Sequence, residues 1–269
     1  MTHRHELTDI QWARLEPLLP PQRPTTGRPA RDHRTIVNGI LWRLATGAPW
    51  RDLPERYGSW QTVYSRWRRW QQAGVWRRAL AALQADADTR GDLDWAMHFL
   101  DGTTIRAHQS AAGAKKRGGD QALGRSRGGF STKIHLRTER GGKPICGVLT
   151  PGQRHEATQV AALLERGAVK RPSRGRPRRR PQRVVGDKGY TGRPIRTYLR
   201  QHGIGAVIPR LKTESRRGVR FDRAAYRERN VVERTINRLK QHRALATRYE
   251  KLEETFHALL TLACILLWL

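Results

Sequence analysis

Apolar residues recur at helical spacing through the first third of the chain. Thr8 followed by Gln11 makes a capping-box start, and Ile10, Leu15, Leu18 and Leu19 supply an apolar side that stops at Pro20-Pro21. After a Pro/Gly/Thr-rich loop, PPQRPTTGRPARD, Asp32 stands as an N-cap, and Ile36, Ile40, Leu41 and Leu44 carry a second helix toward Gly47 and Pro49. The stretch WRDLPERYGSWQTVYSRWRRWQQAG predicts a short helix, a turn at Gly58 and a helix N-capped by Ser59. Trp60, Val63, Tyr64, Trp67 and Trp70 would hold that last helix to a bundle. Its other side carries Gln61, Thr62, Ser65, Arg66, Arg68 and Arg69, the amides, hydroxyls and guanidiniums that a helix-turn-helix offers to base edges and phosphates. A further helix runs from Val75 to about Asp86, and the acidic, small-residue stretch ADADTRGDLD reads as a connector between domains.

The period then changes. AMHFLDGT predicts a strand ending at Asp101 and turned by Gly102, and KIHLRTERGGKPICGVLT a hairpin joined across Gly141-Gly142. Ala157 to about Glu165 is a helix, RVVGDKGY a buried strand ending at Asp187, Pro194 to Gln201 a helix and GAVIP a short strand. Tyr226 to Lys240 follows as one helix seated by Val232, Ile236 and Leu239. On that helix Tyr226, Arg229, Glu233 and Lys240 fall within roughly a 60° arc, at the margin of the buried side. The apolar tail from Phe256 to Leu269 is too short to span a bilayer and reads as a buried helix. Strands first, then alternating helices and strands, imply a mixed sheet with helices packed on it. The fold class is α+β, with a helical helix-turn-helix domain over residues 1–90 and a mixed α/β domain over 91–269.

Composition fixes the partner class. The 269 residues carry 53 Lys and Arg against 23 acidic residues, a formal charge of +30 spread along the whole chain, so a polyanion is the expected partner. Nine Trp and 37% hydrophobic residues exclude a disordered basic tail. Cys146 and Cys264 lie far apart with no companions at zinc-ligand spacing, so neither a disulfide framework nor a structural zinc is suggested, and a reducing cytoplasm fits. The start lacks the apolar stretch of a signal peptide. Two basic loops, AKKRGGDQALGRSRGGFSTK and KRPSRGRPRRRPQ, read as exposed cation density that orders on a nucleic-acid backbone, or, for the second, equally as a solvated insertion.

In so basic a chain three acids stand out: Asp101 and Asp187 at two strand ends and Glu233 on a helix face. Strand ends at the edge of a sheet, faced by a helix, can converge three carboxylates with no Lys or Arg immediately at the centre. Such a cluster ionises readily around a divalent cation. Each acid alone has a plain structural reading, as a turn residue or a solvated helix residue.

The order Asp101, Asp187, Glu233, with Tyr226, Arg229 and Lys240 around the glutamate, resembles that of the DDE transposases of bacterial insertion sequences, in particular the insertion-sequence-five family. The resemblance covers nearly the whole chain, through LTDIQWARLEPLLPP, GRPARDHRTIVNGILWRLATGAPWRDLPERYGSWQTVYSRWRRW, DGTTIRAH, GRSRGGFSTKIHL, VVGDKGY and YRERNVVERTINRLKQHRALATRYEK. It implies a ribonuclease-H-like catalytic fold, magnesium dependence with manganese as a substitute, and cleavage and strand transfer on double-stranded DNA. By the same resemblance Asp101, Asp187 and Glu233 would hold the metal, Arg229 and Lys240 would contact phosphates beside the scissile bond, and Tyr226 would lie against the same strand. Synapsis of two element ends implies a homodimer or higher oligomer on DNA in the bacterial cytoplasm. His108, His135 and His155 read as solvated or structural. Three rival readings stay open on the sequence: a transposase-derived repressor without chemistry, a recombinase using Tyr226 as nucleophile, and a basic RNA-binding protein.

Overall fold

The chain's first helices begin where side-chain oxygens close their opening turns. In the computed structural model, which describes residues 4–23, 31–117, 119–126, 128–172, 175–211 and 221–269, Thr8 and Gln11 form the reciprocal capping box of α1, Asp9–Leu15. Asp32 accepts from the Thr35 N–H to start α2, His33–Thr46, and Gly47 ends it with φ 70°. Two 3₁₀ turns, Trp50–Asp52 and Glu55–Tyr57, replace the short helix that the sequence predicts before Gly58. Ser59 then caps α3, Trp60–Gln72, whose Val63, Trp67 and Trp70 are buried. Next, α4 spans Val75–Arg90, overrunning its predicted end and taking in half of the stretch read as a connector. The reason is local: alanines favour the helix, and buried Asp88 is held by Trp95 Nε1 and Arg171 Nε at 2.7 Å each.

The sheet is mixed. β1, Met97–Ala107, runs straight through Asp101 and Gly102 instead of turning there, because Asp101 pairs with Leu136 and Gly102 with His135 of an unbroken neighbour. After a 3₁₀ turn at Gln109–Arg117 come β2, Gly124–Ser126, and β3, Gly129–Glu139. The first basic loop is thus partly sheet, with Ser131 and Thr132 buried; its residues 118 and 127 lie outside the described residues, as do 173 and 174 of the second loop and 24–30 of the Pro-rich one. β4, Pro144–Pro151, completes the hairpin over Gly141-Gly142. A 3₁₀ turn at Glu156–Gln159 then leads into α5, Val160–Arg166. β5, Arg183–Val185, and β6, Gly205–Val207, flank α6, Arg193–Gln201, and extend the sheet in parallel beyond β1. The last elements are α7, Arg223–Arg227, α8, Asn230–Lys240, α9, Arg243–Ala246, β7, Thr247–Arg248, and α10, Glu253–Trp268.

Helices cover both faces of the sheet. The larger core joins Trp67 and Trp76 of the N-terminal helices to Phe99, Leu136, Ile236 and Leu259, and α10 lies within it, packed on α4 and β4 as the predicted buried tail helix. Trp268 Nε1 donates to the Pro144 carbonyl at 2.8 Å. A smaller core on the other face gathers Leu100, Val184, Leu163, Tyr190 and Leu199. Arg137 crosses that face fully buried, with each of its three nitrogens donating, to His98 Nδ1 and to the carbonyls of Leu163, Leu164 and Arg179, and burial lowers its pKa to about 10. Among the described residues no helix is long and apolar enough to cross a membrane.

Candidate active site

Parallel pairing of β1 and β5 sets Met97, His98 and Phe99 opposite Arg183, Val184 and Val185. Asp101, inside β1, and Asp187, just past the end of β5, each lie two residues beyond the last pair and so at equivalent positions along neighbouring segments. Asp187 stands outside its strand, as cap of the 3₁₀ turn Lys188–Tyr190, its Oδ1 accepting from the Gly189 N–H at 2.8 Å. Asp101 Oδ1 accepts from the Gly102 N–H at 2.9 Å.

The segment facing them is broken into two helices. Asp222 caps α7 through the Ala225 N–H at 2.9 Å, and the chain turns at Glu228 and Arg229 before α8 begins, so Tyr226 and Glu233 lie on different helices and not on the single one the periodicity predicts. Val232, Ile236 and Leu239 are buried as that periodicity requires. Glu233 occupies the first turn of α8 and Lys240 its last position, about 10 Å farther along the axis. The Tyr226 ring lies 5.2 Å from that of Phe221 and 6.0 Å from Arg229 Cζ.

A cation occupies the centre that the sequence predicts to be free of one. Arg229 Nη2 donates to Glu233 Oε1, and its Nη1 stands 3.5 Å from Asp101 Oδ2. Arg229 is the N-cap of α8 and keeps a helical backbone, so it reaches Glu233 at the i,i+4 spacing of a helix face. Burial pushes the Asp101 carboxyl up to about 6; the Gly102 N–H and Arg229 work against that, and the charges of Asp187 and Glu233 add to it. Asp101, Arg229 and Glu233 are therefore brought together, Asp187 is close enough to act on Asp101 electrostatically, and Lys240 stands apart. Among the described residues no three acidic, His or Cys side chains gather closely enough to hold a metal ion as they stand.

The donor chemistry nonetheless suits a hard divalent cation, for it is all oxygen. Among the described residues, no group hydrogen-bonds the hydroxyl of the fully buried Tyr190. Burial raises its pKa well above the usual value, with the charges of Asp101, Glu156 and Asp187 adding to the effect. Sequence reading passed over Tyr190 and Glu156. The signal for the first was its place in VVGDKGY; for the second it was one more acid, in a chain short of them, just ahead of a helix. The histidines are structural in this frame: His135 is buried against Thr150 Oγ1 at 2.8 Å, His155 caps the Glu156 turn and His108 binds Ser110.

Away from this cluster, α3 presents Gln61, Thr62, Ser65, Arg68 and Arg69 to solvent. Arg66 is half-buried, its guanidinium 5.4 Å from the Trp70 ring centroid. A close approach fixes α3 against α2, for a Cβ at Gly39 would lie 3.1 Å from Tyr57 Cβ and 3.3 Å from Val63 Cγ1.

Two stretches of the chain match known protein families. Residues 7–80 match the family described as "Putative transposase of IS4/5 family", and residues 98–268 match "Transposase DDE domain". The "Uncharacterized protein y4sN" of Sinorhizobium fredii is 39% identical over 110 residues, 41% of this chain and 83% of that one. From Burkholderia cepacia, the "Insertion element IS402 uncharacterized 16.2 kDa protein" is 39% identical over 38% of this chain and 73% of its own length. The "Putative transposase for insertion sequence element IS402" from the same organism is 35% identical over 51% of this chain and 62% of its own length. No solved structure matches. With one aspartate inside β1 and another just past β5 at the equivalent position, and with a family match over most of its length, the chain belongs to the DDE transposases of bacterial insertion sequences.

Proposed function

We propose that this chain binds the ends of its insertion sequence and carries out divalent-metal-dependent cleavage and strand transfer of double-stranded DNA, with Asp101, Asp187 and Glu233 as its acidic triad. The observation that carries this reading is the equivalent placement of Asp101 and Asp187, each two residues beyond the last pair of the parallel strands β1 and β5, with Glu233 reached from Asp101 through one guanidinium. The sheet supports a ribonuclease-H-like fold: β4, β3 and β1 form an antiparallel series, and β5 and β6 continue it in parallel on the other side of β1.

Magnesium ions, or manganese in their place, would supply activation of the attacking oxygen and charge relief on the leaving one. The protein supplies the rest. Asp101, Asp187 and Glu233 would hold the cation, whose charge would favour the ionised form of the buried Asp101 carboxyl. Arg229 would contact a phosphate beside the scissile bond, and Lys240 would meet the backbone about two helical turns away. Tyr226 packs along the same strand. Residues 1–90 form the DNA-reading domain and 91–269 the catalytic one, with Gln61, Arg66, Arg68 and Arg69 of α3 in a helix-turn-helix. Two copies meet on DNA to pair the element's ends.

The test is strand cleavage of labelled DNA carrying the element's own ends, with magnesium or chelator, for the wild-type chain and Glu233→Ala. Metal-dependent nicking that disappears in the variant is the expected result. Cleavage retained in Glu233→Ala overturns the triad, and cleavage in chelator overturns the metal.

A further inference from the structure

The helix α3 does not close fully against the chain that follows β7. Trp60, Tyr64 and Arg68 lie in one row of that helix, at i,i+4 spacing. Facing them run residues 249–255, stitched to the N-terminal helices at two points. Gln71 Nε2 donates to Thr255 Oγ1 at 3.3 Å, and Arg43 pairs with Glu250 at 2.7 Å. Between helix and facing segment remains a cavity of about 370 Å³, within the size range of small-ligand sites. Its lining is aromatic. Trp50, Trp60 and Tyr64 are half-buried, Trp67 is fully buried, and Tyr249 of the facing segment is 40% exposed. The rings do not stack on one another, for Tyr64 is tilted by 56° to Trp50 and by 48° to Trp60, at centroid distances of 5.5 and 6.5 Å. They form a cup.

Charge selects the guest. Arg43 and Glu250 neutralise each other, which leaves exposed Arg68 and Lys251 against exposed Glu254. Two cations against one acid disfavour an ammonium, the usual guest of an aromatic cage. They suit a flat aromatic group attached to an anion. Among the described residues, Arg43 Nε and Nη1, Glu250 Oε2 and Trp67 Nε1 have no hydrogen-bond partner. Buried polar atoms are rarely left so, and a heterocycle with donors and acceptors around its edge offers them what an aliphatic side chain could not.

We propose that the cup takes an unpaired nucleobase of a DNA strand, stacked among Trp60, Tyr64 and Tyr249, with Arg68 and Lys251 on the phosphates beside it. The inference rests on the DNA binding proposed above and not on the metal chemistry. The facing segment continues from β7, whose Thr247 pairs with Arg106 of β1, on the same strand as Asp101. A base held there therefore fixes the DNA against the strand that bears Asp101 as well as against α3.

The experiment measures binding of the full-length chain, by fluorescence anisotropy in chelator, to three duplexes of one sequence: fully paired, with one bulged adenine, and with one bulged abasic residue. The abasic bulge interrupts the duplex as the adenine does but carries no base. Wild type is expected to hold the adenine bulge about 10-fold more tightly than the abasic one, and to quench the emission of 2-aminopurine put in place of that adenine. Tyr249→Ala and Trp60→Ala should bring the ratio close to one and remove the quenching. Arg69→Ala, on the exposed side of α3 and outside the cup, should weaken all three duplexes and keep the ratio. Thermal melts show which variants are folded, and if Trp60→Ala is not, the more exposed Tyr249 carries the test. A wild-type ratio near one with firm duplex binding, or a ratio that survives in either folded variant, overturns the inference alone. Free dAMP that displaces the adenine bulge at micromolar concentration assigns the cup to a free nucleotide and overturns the DNA strand as its source. A wild-type chain that binds none of the duplexes overturns the DNA-binding reading and this one together.

Discussion

Arg229 stands between Asp101 and Glu233, its Nη1 3.5 Å from Asp101 Oδ2 and its Nη2 hydrogen-bonded to Glu233 Oε1. A guanidinium at that place does for the two acids what a metal ion would do, neutralising charge that burial makes costly. Arg229→Gln should therefore destabilise the chelated protein by about 1–3 kcal/mol near neutral pH, the cost of leaving partly buried charged groups unmatched. Saturating Mn²⁺ should recover much of that loss in the variant and add less to the wild type. Melting temperatures of both proteins, with Mn²⁺ and with chelator, check this; equal melting in chelator refutes it.

Arg43 and Glu250 form a buried ion pair at 2.7 Å, with side chains only 6% and 8% exposed, tying α2 to the segment before α10. Arg43 Nε and Nη1 and Glu250 Oε2 have no further partners, so the pair depends on itself. Removing one member strands the other: Glu250→Ala should cost about 3–5 kcal/mol. Replacing both members with apolar residues of similar volume should cost much less. Urea unfolding of the single and double variants measures the difference, and a Glu250→Ala cost below about 1 kcal/mol is incompatible with a desolvated pair.

Burial, with the Lys133 charge adding to it, lowers the His135 pKa to about 4, and burial also takes His98 well below the usual value, helped by Arg137. Between the ordinary histidine value near 6.5 and about 4, the unfolded chain takes up a proton at His135 that the folded chain refuses. Stability from this residue is therefore complete above about pH 6.5 and is lost as pH falls toward 4, by on the order of 3 kcal/mol. The same sign holds at His98. His135→Gln should be less sensitive to acid, so the stability gap between it and wild type should shift in its favour between pH 7.5 and pH 4.5, measured by urea unfolding.

The helical third of this chain is legible in its sequence because the capping side chains are local. Thr8, Asp32 and Ser59 each bind an N–H three residues on, and the structure keeps all three. The sheet is less so. An Asp-Gly pair signals a turn by local chemistry, but Asp101-Gly102 is held extended by β3, a partner about thirty residues away that no local window contains. The three acids could be picked out one by one, whereas their mutual arrangement could not. It depends on β1 and β5 pairing side by side against α8, and on the fold bringing Glu156 over Gly102 and Gly189, two glycines it does not adjoin.

The arginines of α3 should separate DNA contact from packing. Arg68 and Arg69 are exposed, while Arg66 is half-buried over the Trp70 ring and has its pKa lowered by burial, with Arg69 adding to the effect. Arg68→Ala and Arg69→Ala should leave thermal stability within about 0.5 kcal/mol of wild type and weaken binding to DNA carrying the element's ends. If each contacts one phosphate, the double variant should flatten the dependence of log K on log salt by about 2. Arg66→Ala removes guanidinium surface from an aromatic ring as well as a charge, so it should lose stability and affinity together. Fluorescence anisotropy across a salt series, with thermal melts of the same variants, reads both quantities. A salt slope unchanged in the Arg68 and Arg69 double variant would move the DNA-reading surface away from α3, toward the basic segments around β2 and β5.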